Sequence, residues 1–223
     1  LRRRQRQMCI RDSLFPKGRY DFWSQHATEK EYHETNTYDV NPKILAVLLK
    51  EINDLTIDGN NSEFIMHGRM QPFTLDHCQN ITLKNFTIDW DIPLTAQGAV
   101  IESTPDYMEI EINACQYPYI IENKRLTFVG EGWKSGVWSI MQFDPKTHFV
   151  LPNTGDNLGW RSYDAIEVSP GRVRLSDPKR EANKFYPAPG TILVLRHSTR
   201  DHAGIFIYHS TDTKMENLKL FHT

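Results

Sequence analysis

One pattern recurs along this chain and limits its fold more than any other feature. It reads LTIDGNNSEF from Leu55, ITLKNFTIDW from Ile81 and TKMENLKLFH from Thr213. The last two copies align without gaps, setting His77 on His209, Asn85 on Asn217, Phe86 on Leu218 and Ile88 on Leu220. The first joins when Asn53 to Asp58 is set against Lys84 to Asp89. In each copy Leu, Ile or Phe alternates with Thr, Lys or Asn, a period of two that specifies β-strands. An Asn stands between strands, where its side chain tolerates left-handed backbone. The strand–Asn–strand order in three places predicts the N-terminal coils of a right-handed parallel β-helix, whose stacked coils bury one apolar column. An antiparallel meander is the alternative, and it has no need of that repeated order.

The spacing between copies is uneven. The step from Ile57 to Ile88 is 88 − 57 = 31, and that from Ile88 to Leu220 is 220 − 88 = 132, an excess of 132 − 31 = 101. Within that stretch the strands look longer, in segments such as DYMEIEIN and AIEVSPGRVRLSD. Turn signals punctuate them, including Asp144-Pro145, Ser169-Pro170-Gly171 and Pro189-Gly190. An inserted antiparallel β-barrel or sandwich is expected. The fold class is therefore all-β. The domains are a tail at 1–13, β-helix at 14–92, an inserted barrel-like domain at 93–200 and resumed β-helix at 201–223. The one plausible short helix spans Asn41 to Glu51, and that segment reads equally as a strand.

The segment 1–13 differs from the rest. It holds five Arg and one Asp, a net of +4, while the whole chain is −2, leaving −2 − 4 = −6 for the body. RQRQMCIRDS resembles translated sequencing-adapter sequence, so the segment is expected to be a non-native or disordered tail. The mildly acidic body argues against a nucleic-acid partner, which calls for a basic face. The longest apolar run, Ile44 to Leu49, is six residues, against about twenty for a membrane span. The chain reads as a fragment cut at both ends.

Two constellations could carry chemistry. Asp89-Trp90-Asp91 places two carboxylates on one face of a strand, about 6.5–7 Å apart along it. Two carboxyl groups so placed could serve as an acid and a base. Trp90 is either a stacking platform for a sugar ring or a packed core residue. The segment Arg196-His197-Ser198-Thr199-Arg200-Asp201-His202 is the densest polar cluster. Arg196, His197, Arg200, Asp201 and His202 form a substrate-binding loop or a hydrated linker. Since this segment returns to the helix where Trp90 leaves it, the two are expected to be neighbours. His67-Gly68-Arg69 is a third polar loop. His77 and His209, at one repeat position, read as a structural stack. Cys78 and Cys115 are two buried small side chains or a disulfide, and no His/Cys cluster has metal-ligand spacing. Nucleotide-binding and nucleophile-elbow motifs are absent.

FPKGRYDFW, LTIDGNNSEFIMHGRM, NITLKNFTIDWDIPLTAQG and LRHSTRDHAGIFI, in that order, resemble the α-1,3-galactosidase family of glycoside hydrolases, from Leu14 to the end. The resemblance implies a right-handed β-helix interrupted by a barrel. It implies removal of terminal α-linked galactose from glycans such as blood-group-B-type ends, with inversion, and no metal or organic cofactor. It implies an exported protein, secreted, periplasmic or on the cell surface. It puts the catalytic carboxylates on coils beyond Thr223, leaving Asp89 and Asp91 as the fallback pair. A polysaccharide lyase of the same architecture would want a basic groove, which the acidic body lacks. A non-catalytic carbohydrate-binding adhesin would continue in repeats without paired inward acids.

Overall fold

The computed structural model describes residues 11–34, 40–152, 154, 163–176, 187–197 and 202–222. The chain is essentially all-β and divides into two compact units, one from Leu1–Asp91 with Arg200–Thr223 and one from Ile92–Thr199.

The split unit opens with β1 (Arg11–Leu14), β2 (Arg19–Trp23) and β3 (Thr28–Lys30), then β4 (Lys43–Lys50), β5 (Asn53–His67), β6 (Gln71–Asp76) and β7 (Gln79–Trp90). The inserted unit runs through β8 (Thr95–Ser103), β9 (Tyr107–Glu111), β10 (Tyr119–Glu122), β11 (Arg125–Gly130) and β12 (Trp133–Gly136). It continues with β13 (Ser139–Phe143), β14 (Asp164–Ser169), β15 (Arg172–Ser176) and β16 (Ile192–Arg196). The split unit resumes with β17 (Ile205–Tyr208) and β18 (Thr211–Leu220).

In the split unit the chain alternates between two sheets. Strands β4, β6 and β17 pair in parallel in one, and β5, β7 and β18 pair in parallel in the other. β1 and β2 also pair with β5 in parallel, and the short β3 closes an edge antiparallel to β4. Between the sheets Phe64, Phe73 and Phe86 stack, with centroids 4.7 to 6.2 Å apart. At the corners, Glu51, His77 and His209 share positive φ at one position, and Asp54, Asn80 and Asp212 at another. A third set, Asn85 and Asn217, is joined by a side-chain ladder: Asn217 donates to Asn85 at 3.1 Å, and Asn85 to Asp58 at 3.0 Å.

Three expectations change here. Arg11, Asp12 and Ser13 belong to β1, in register with Leu55, Thr56 and Ile57, so this part of the expected tail is strand; residues 1–10 lie outside the described residues. Of the two readings of Asn41 to Glu51, the helix gives way to the strand, β4. Its six consecutive apolar residues line a strand flanked by β6, and the one helical turn among the described residues is Ser24–His26. The register of the first repeat also shifts. Ile57 pairs with Leu83 and Asp58 with Lys84, a step of 83 − 57 = 26, whereas Phe64 pairs with Ile88, a step of 88 − 64 = 24. The change comes from two extra residues between Asp58 and Ser62. Gly59 permits that kink, since a Cβ there would lie 2.5 Å from Phe86 Cβ. Against a round of 24, the step of 132 from Ile88 to Leu220 leaves 132 − 24 = 108, the length of the unit Ile92–Thr199.

The inserted unit is antiparallel. Its six-stranded sheet runs β13-β16-β8-β9-β15-β14, and β10-β11-β12 form a second sheet. Alternate residues of β8, β9 and β16, including Val100, Met108, Ile110, Leu193 and Leu195, are buried. Cys78 is buried and Cys115 exposed, and both are free thiols, which settles the disulfide question.

Candidate functional site

The alternation in β2 builds a polar face on the split unit. Tyr20 and Phe22 turn inward against Phe64, with ring centroids 5.8 and 5.5 Å away. Arg19, Asp21 and Trp23 therefore turn outward. Parallel register sets Asp21 beside Ile65, which pairs onward with Asp89, and sets Trp23 beside His67. Asp91 continues the pairing, its N–H donating to Met66 O at 3.1 Å.

These outward side chains form one network. Arg19 donates through Nη2 to Asp91 Oδ1 at 2.6 Å and through Nε to Asp21 Oδ1 at 2.9 Å. His67 Nε2 lies 2.8 Å from the same Asp21 oxygen. The Arg19 guanidinium, then His67, holds the Asp21 carboxyl below the usual carboxylate range. Trp23 stacks on His67 at 3.7 Å, nearly parallel, and keeps 43% of its surface exposed. An exposed indole can stack on a sugar's apolar face, while the carboxyl groups beside it accept from, and the guanidinium donates to, the sugar hydroxyls. Asp89 is held by the Trp90 N–H at 2.8 Å and by His222 Nδ1 at 2.7 Å.

Trp90 itself is not a platform. It is 3% exposed, its Nε1 donates to Gly68 O at 3.1 Å, and His202 stacks parallel to it at 6.0 Å. The strand that turns Asp89 and Asp91 outward must turn the residue between them inward. The Arg196–His202 segment is not one loop. Arg196 ends strand β16, with its guanidinium over the Trp138 ring at 4.4 Å. His197 is 1% exposed within the inserted unit, stacked between Phe128 at 4.6 Å and Trp133 at 5.3 Å, so it cannot meet a substrate there. Arg200 and Asp201 lie outside the described residues, and His202 belongs to the split unit.

A second polar centre lies at a corner of the split unit. Asp76, 2% exposed, accepts from Lys30 Nζ and Tyr32 OH at 2.6 Å each and faces His77 Nδ1 at 2.5 Å. Burial alone would push its carboxyl up; the three hydrogen bonds overrule this and hold it far below the usual range. His77 and His209 stack above at 5.0 Å. Beside this network is a cavity of about 340 Å³, with Lys50, Glu51 and Tyr208 on its wall. One carboxyl shifts the other way. Glu34, accepting from the Ala203 N–H at 3.1 Å, is pushed up by burial, the environment in which a carboxylic acid keeps its proton.

Sequence reasoning missed Arg19, Asp21, Trp23, Asp76 and Glu34. The signal for the first three was present in GRYDFW, where polar residues at i and i+2 and a Trp at i+4 share one strand face. Asp76 and Glu34 carry none, because their partners come from other rounds of the chain.

Residues 96–193, within the inserted unit, match the family model GLAA-B beta-barrel domain I. The sequence is similar to several bacterial proteins named alpha-1,3-galactosidase. It is 82% identical over 210 residues to alpha-1,3-galactosidase B of Bacteroides thetaiotaomicron, covering 94% of this chain and 34% of that protein. It is 33% identical over 210 residues to alpha-1,3-galactosidase A of Bacteroides fragilis, covering 92% and 34%. With alpha-1,3-galactosidase A of Shewanella woodyi the identity is 34% over 217 residues, covering 94% and 34%. The chain thus spans about a third of the length of the curated relatives it matches.

Proposed function

We propose that this chain is part of an exo-acting, inverting glycoside hydrolase that removes terminal α-1,3-linked galactose from glycans, blood-group-B-type ends among them. The observation that carries the reading is the 82% identity, over 210 residues, to a protein named alpha-1,3-galactosidase B. The regular parallel pairing of β5, β7 and β18 supports a right-handed parallel β-helix, and the match at 96–193 supports a barrel inserted into it. The face built from Arg19, Asp21, Trp23, His67 and Asp91 contributes to the glycan-contacting surface. Trp23 supplies the stacking plane, and the ionised Asp21 accepts from sugar hydroxyls. Asp91, oriented by the Arg19 guanidinium at 2.6 Å, presents further acceptor positions to sugar hydroxyls. The protein acts where such glycans are met, outside the cytoplasm.

The test is release of galactose by the whole protein from an aryl α-galactoside and a branched B-type trisaccharide, followed by NMR. The expected first product is β-galactose, because inversion converts the α-anomer. Failure to release galactose from either substrate would overturn the reading.

A further inference from the structure

Within the inserted unit a cleft of about 520 Å³ opens on the outer face of the six-stranded sheet. The alternation that buries Val100 and Ile110 turns Ala99 and Glu111 outward, and these two are direct cross-strand partners. Ala99 is also the partner of Ile192 on β16. A small residue thus sits between two larger ones on the middle strand of three, and the sheet surface dips there. Two turns raise walls around the dip. One, Asn113 to Tyr117, is pinned by N–H groups of Gln116 and Tyr117 donating to Asn113 O at 3.0 and 2.8 Å, and by the Cys115 N–H donating to Asn113 Oδ1 at 3.2 Å. The other, Pro170-Gly171, is tied to the sheet by the Ile112 N–H donating to Gly171 O at 2.7 Å. Gly171 has φ +79°, and a Cβ on it would meet Ile112 O at 3.0 Å, so glycine is required for that wall.

The lining has a definite chemistry. Gln97, Asn113 and Gln116 bring carboxamides, each both donor and acceptor, and Glu111 brings one carboxylate. Ile192 and Tyr117 supply apolar surface. Among the described residues no Lys, Arg or His lines the cleft. Carboxamides plus one carboxylate around an apolar floor match vicinal hydroxyls on a ring with an apolar face, and Glu111, the one charged residue among the described lining, disfavours an anionic ligand. The volume falls within the ~300–1,000 Å³ typical of small-ligand sites.

We infer that this cleft is a binding site for a neutral terminal hexose, separate from the polar face of the split unit. The choice of galactose as that hexose rests on the proposed function; the preference for a neutral sugar rests on the lining alone. The site would hold a non-reducing end of a glycan and raise the local concentration of substrate.

The experiment is saturation-transfer NMR and titration of the 223-residue chain with methyl α-galactoside and with galacturonate, on the wild type and on Ala99→Trp and Gln116→Ala. Circular dichroism melting confirms that each variant folds; if Ala99→Trp does not, Gln116→Ala carries the test. Expected are saturable binding of the galactoside, at least about tenfold weaker binding by a folded variant, and weaker binding of galacturonate. No galactoside binding, binding unchanged in the folded variants, or equal binding of galacturonate would overturn the inference. Hydrolysis by the unmodified whole protein is measured separately. Binding without hydrolysis leaves the cleft standing and removes the proposed function; hydrolysis without binding does the reverse.

Discussion

In the split unit like residues meet like: Asn217 reaches Asn85, His209 lies on His77, and Phe64 stacks on Phe86. In the inserted unit neighbours across strands differ, as where Glu109 of β9 meets Arg172 and Arg174 of β15. Parallel rounds bring the same turn position of successive repeats to the same place, so one residue type satisfies itself in a ladder. Antiparallel pairs place unlike positions together, and a buried charge must find its opposite across the sheet. Both units bury an anion, Asp76 in one and Glu109 in the other, each 2% exposed. Asp76 is held by one Lys, a phenol and an imidazole, whereas Glu109 is held by two guanidinium groups. The lesson is that topology decides whether polar groups are compensated by repetition or by complementarity.

The largest expected effect is on the stacked core of the split unit. Phe64→Ala removes a fully buried ring that touches Phe15, Tyr20, Phe22, Phe73 and Phe86, and should cost about 3–5 kcal/mol in urea unfolding. A cost below about 1 kcal/mol, far under the range for emptying such a site, would mean that the two parallel sheets do not share this core.

The buried anions come next. Asp76→Asn and Glu109→Gln each remove charge-assisted hydrogen bonds and should each cost roughly 1.5–3 kcal/mol, the charged partners Lys30, Arg172 and Arg174 being partly exposed. Arg174, then Arg172, holds the Glu109 carboxyl below its ordinary range, as the hydrogen bonds to Asp76 do in the split unit. On acidification below about pH 4, unfolded carboxyls take up protons while these two stay ionised. The unfolded state then binds more protons, so stability falls as pH drops through that window. Urea midpoints from pH 6 down to pH 3 should decline less steeply in either variant than in the wild type. Equal slopes would show that the buried carboxylates do not govern acid sensitivity.

A smaller effect separates laddering from backbone shape. Asn85 has φ +59° and bridges Asp58 to Asn217. Asn85→Ala loses the ladder and strains the left-handed backbone, at about 1–2 kcal/mol. Asn85→Gly loses only the ladder and should melt closer to the wild type. If glycine melts no higher than alanine, the ladder alone carries the stability.

Much of this architecture was legible in the sequence because parallel rounds repeat their own signals. The gapless match of ITLKNFTIDW with TKMENLKLFH gave the right pairing across the whole inserted unit, Ile88 on Leu220. The same reasoning failed one round earlier. There the Asn-rich kink at 59–61 shortens the step between paired positions from 26 to 24, and a shift of five places still leaves alternating residues that look alike. The site divided along similar lines. Outward Asp89 and Asp91 follow from strand alternation, and so does inward Trp90, although its indole had two readings. The polar run at Arg196 read as one loop because composition does not reveal where a strand ends. There Arg196 finishes β16 and His197 enters an aromatic core.

The smallest structural change tests the largest functional claim. Trp23 is exposed and stacked on His67, so Trp23→Ala should cost no more than about 1.5 kcal/mol of stability. The decisive measurement is kcat and KM of the whole protein for the B-type trisaccharide, with Trp23→Ala compared against the wild type. If this face contacts the glycan, the variant stays folded and its KM rises at least about tenfold, as expected for a lost stacking contact worth roughly 1.4 kcal/mol. A folded variant whose KM and kcat both stay within about twofold of the wild type, well under that roughly 1.4 kcal/mol, would contradict the assignment of the Arg19–Asp21–Trp23 face to substrate.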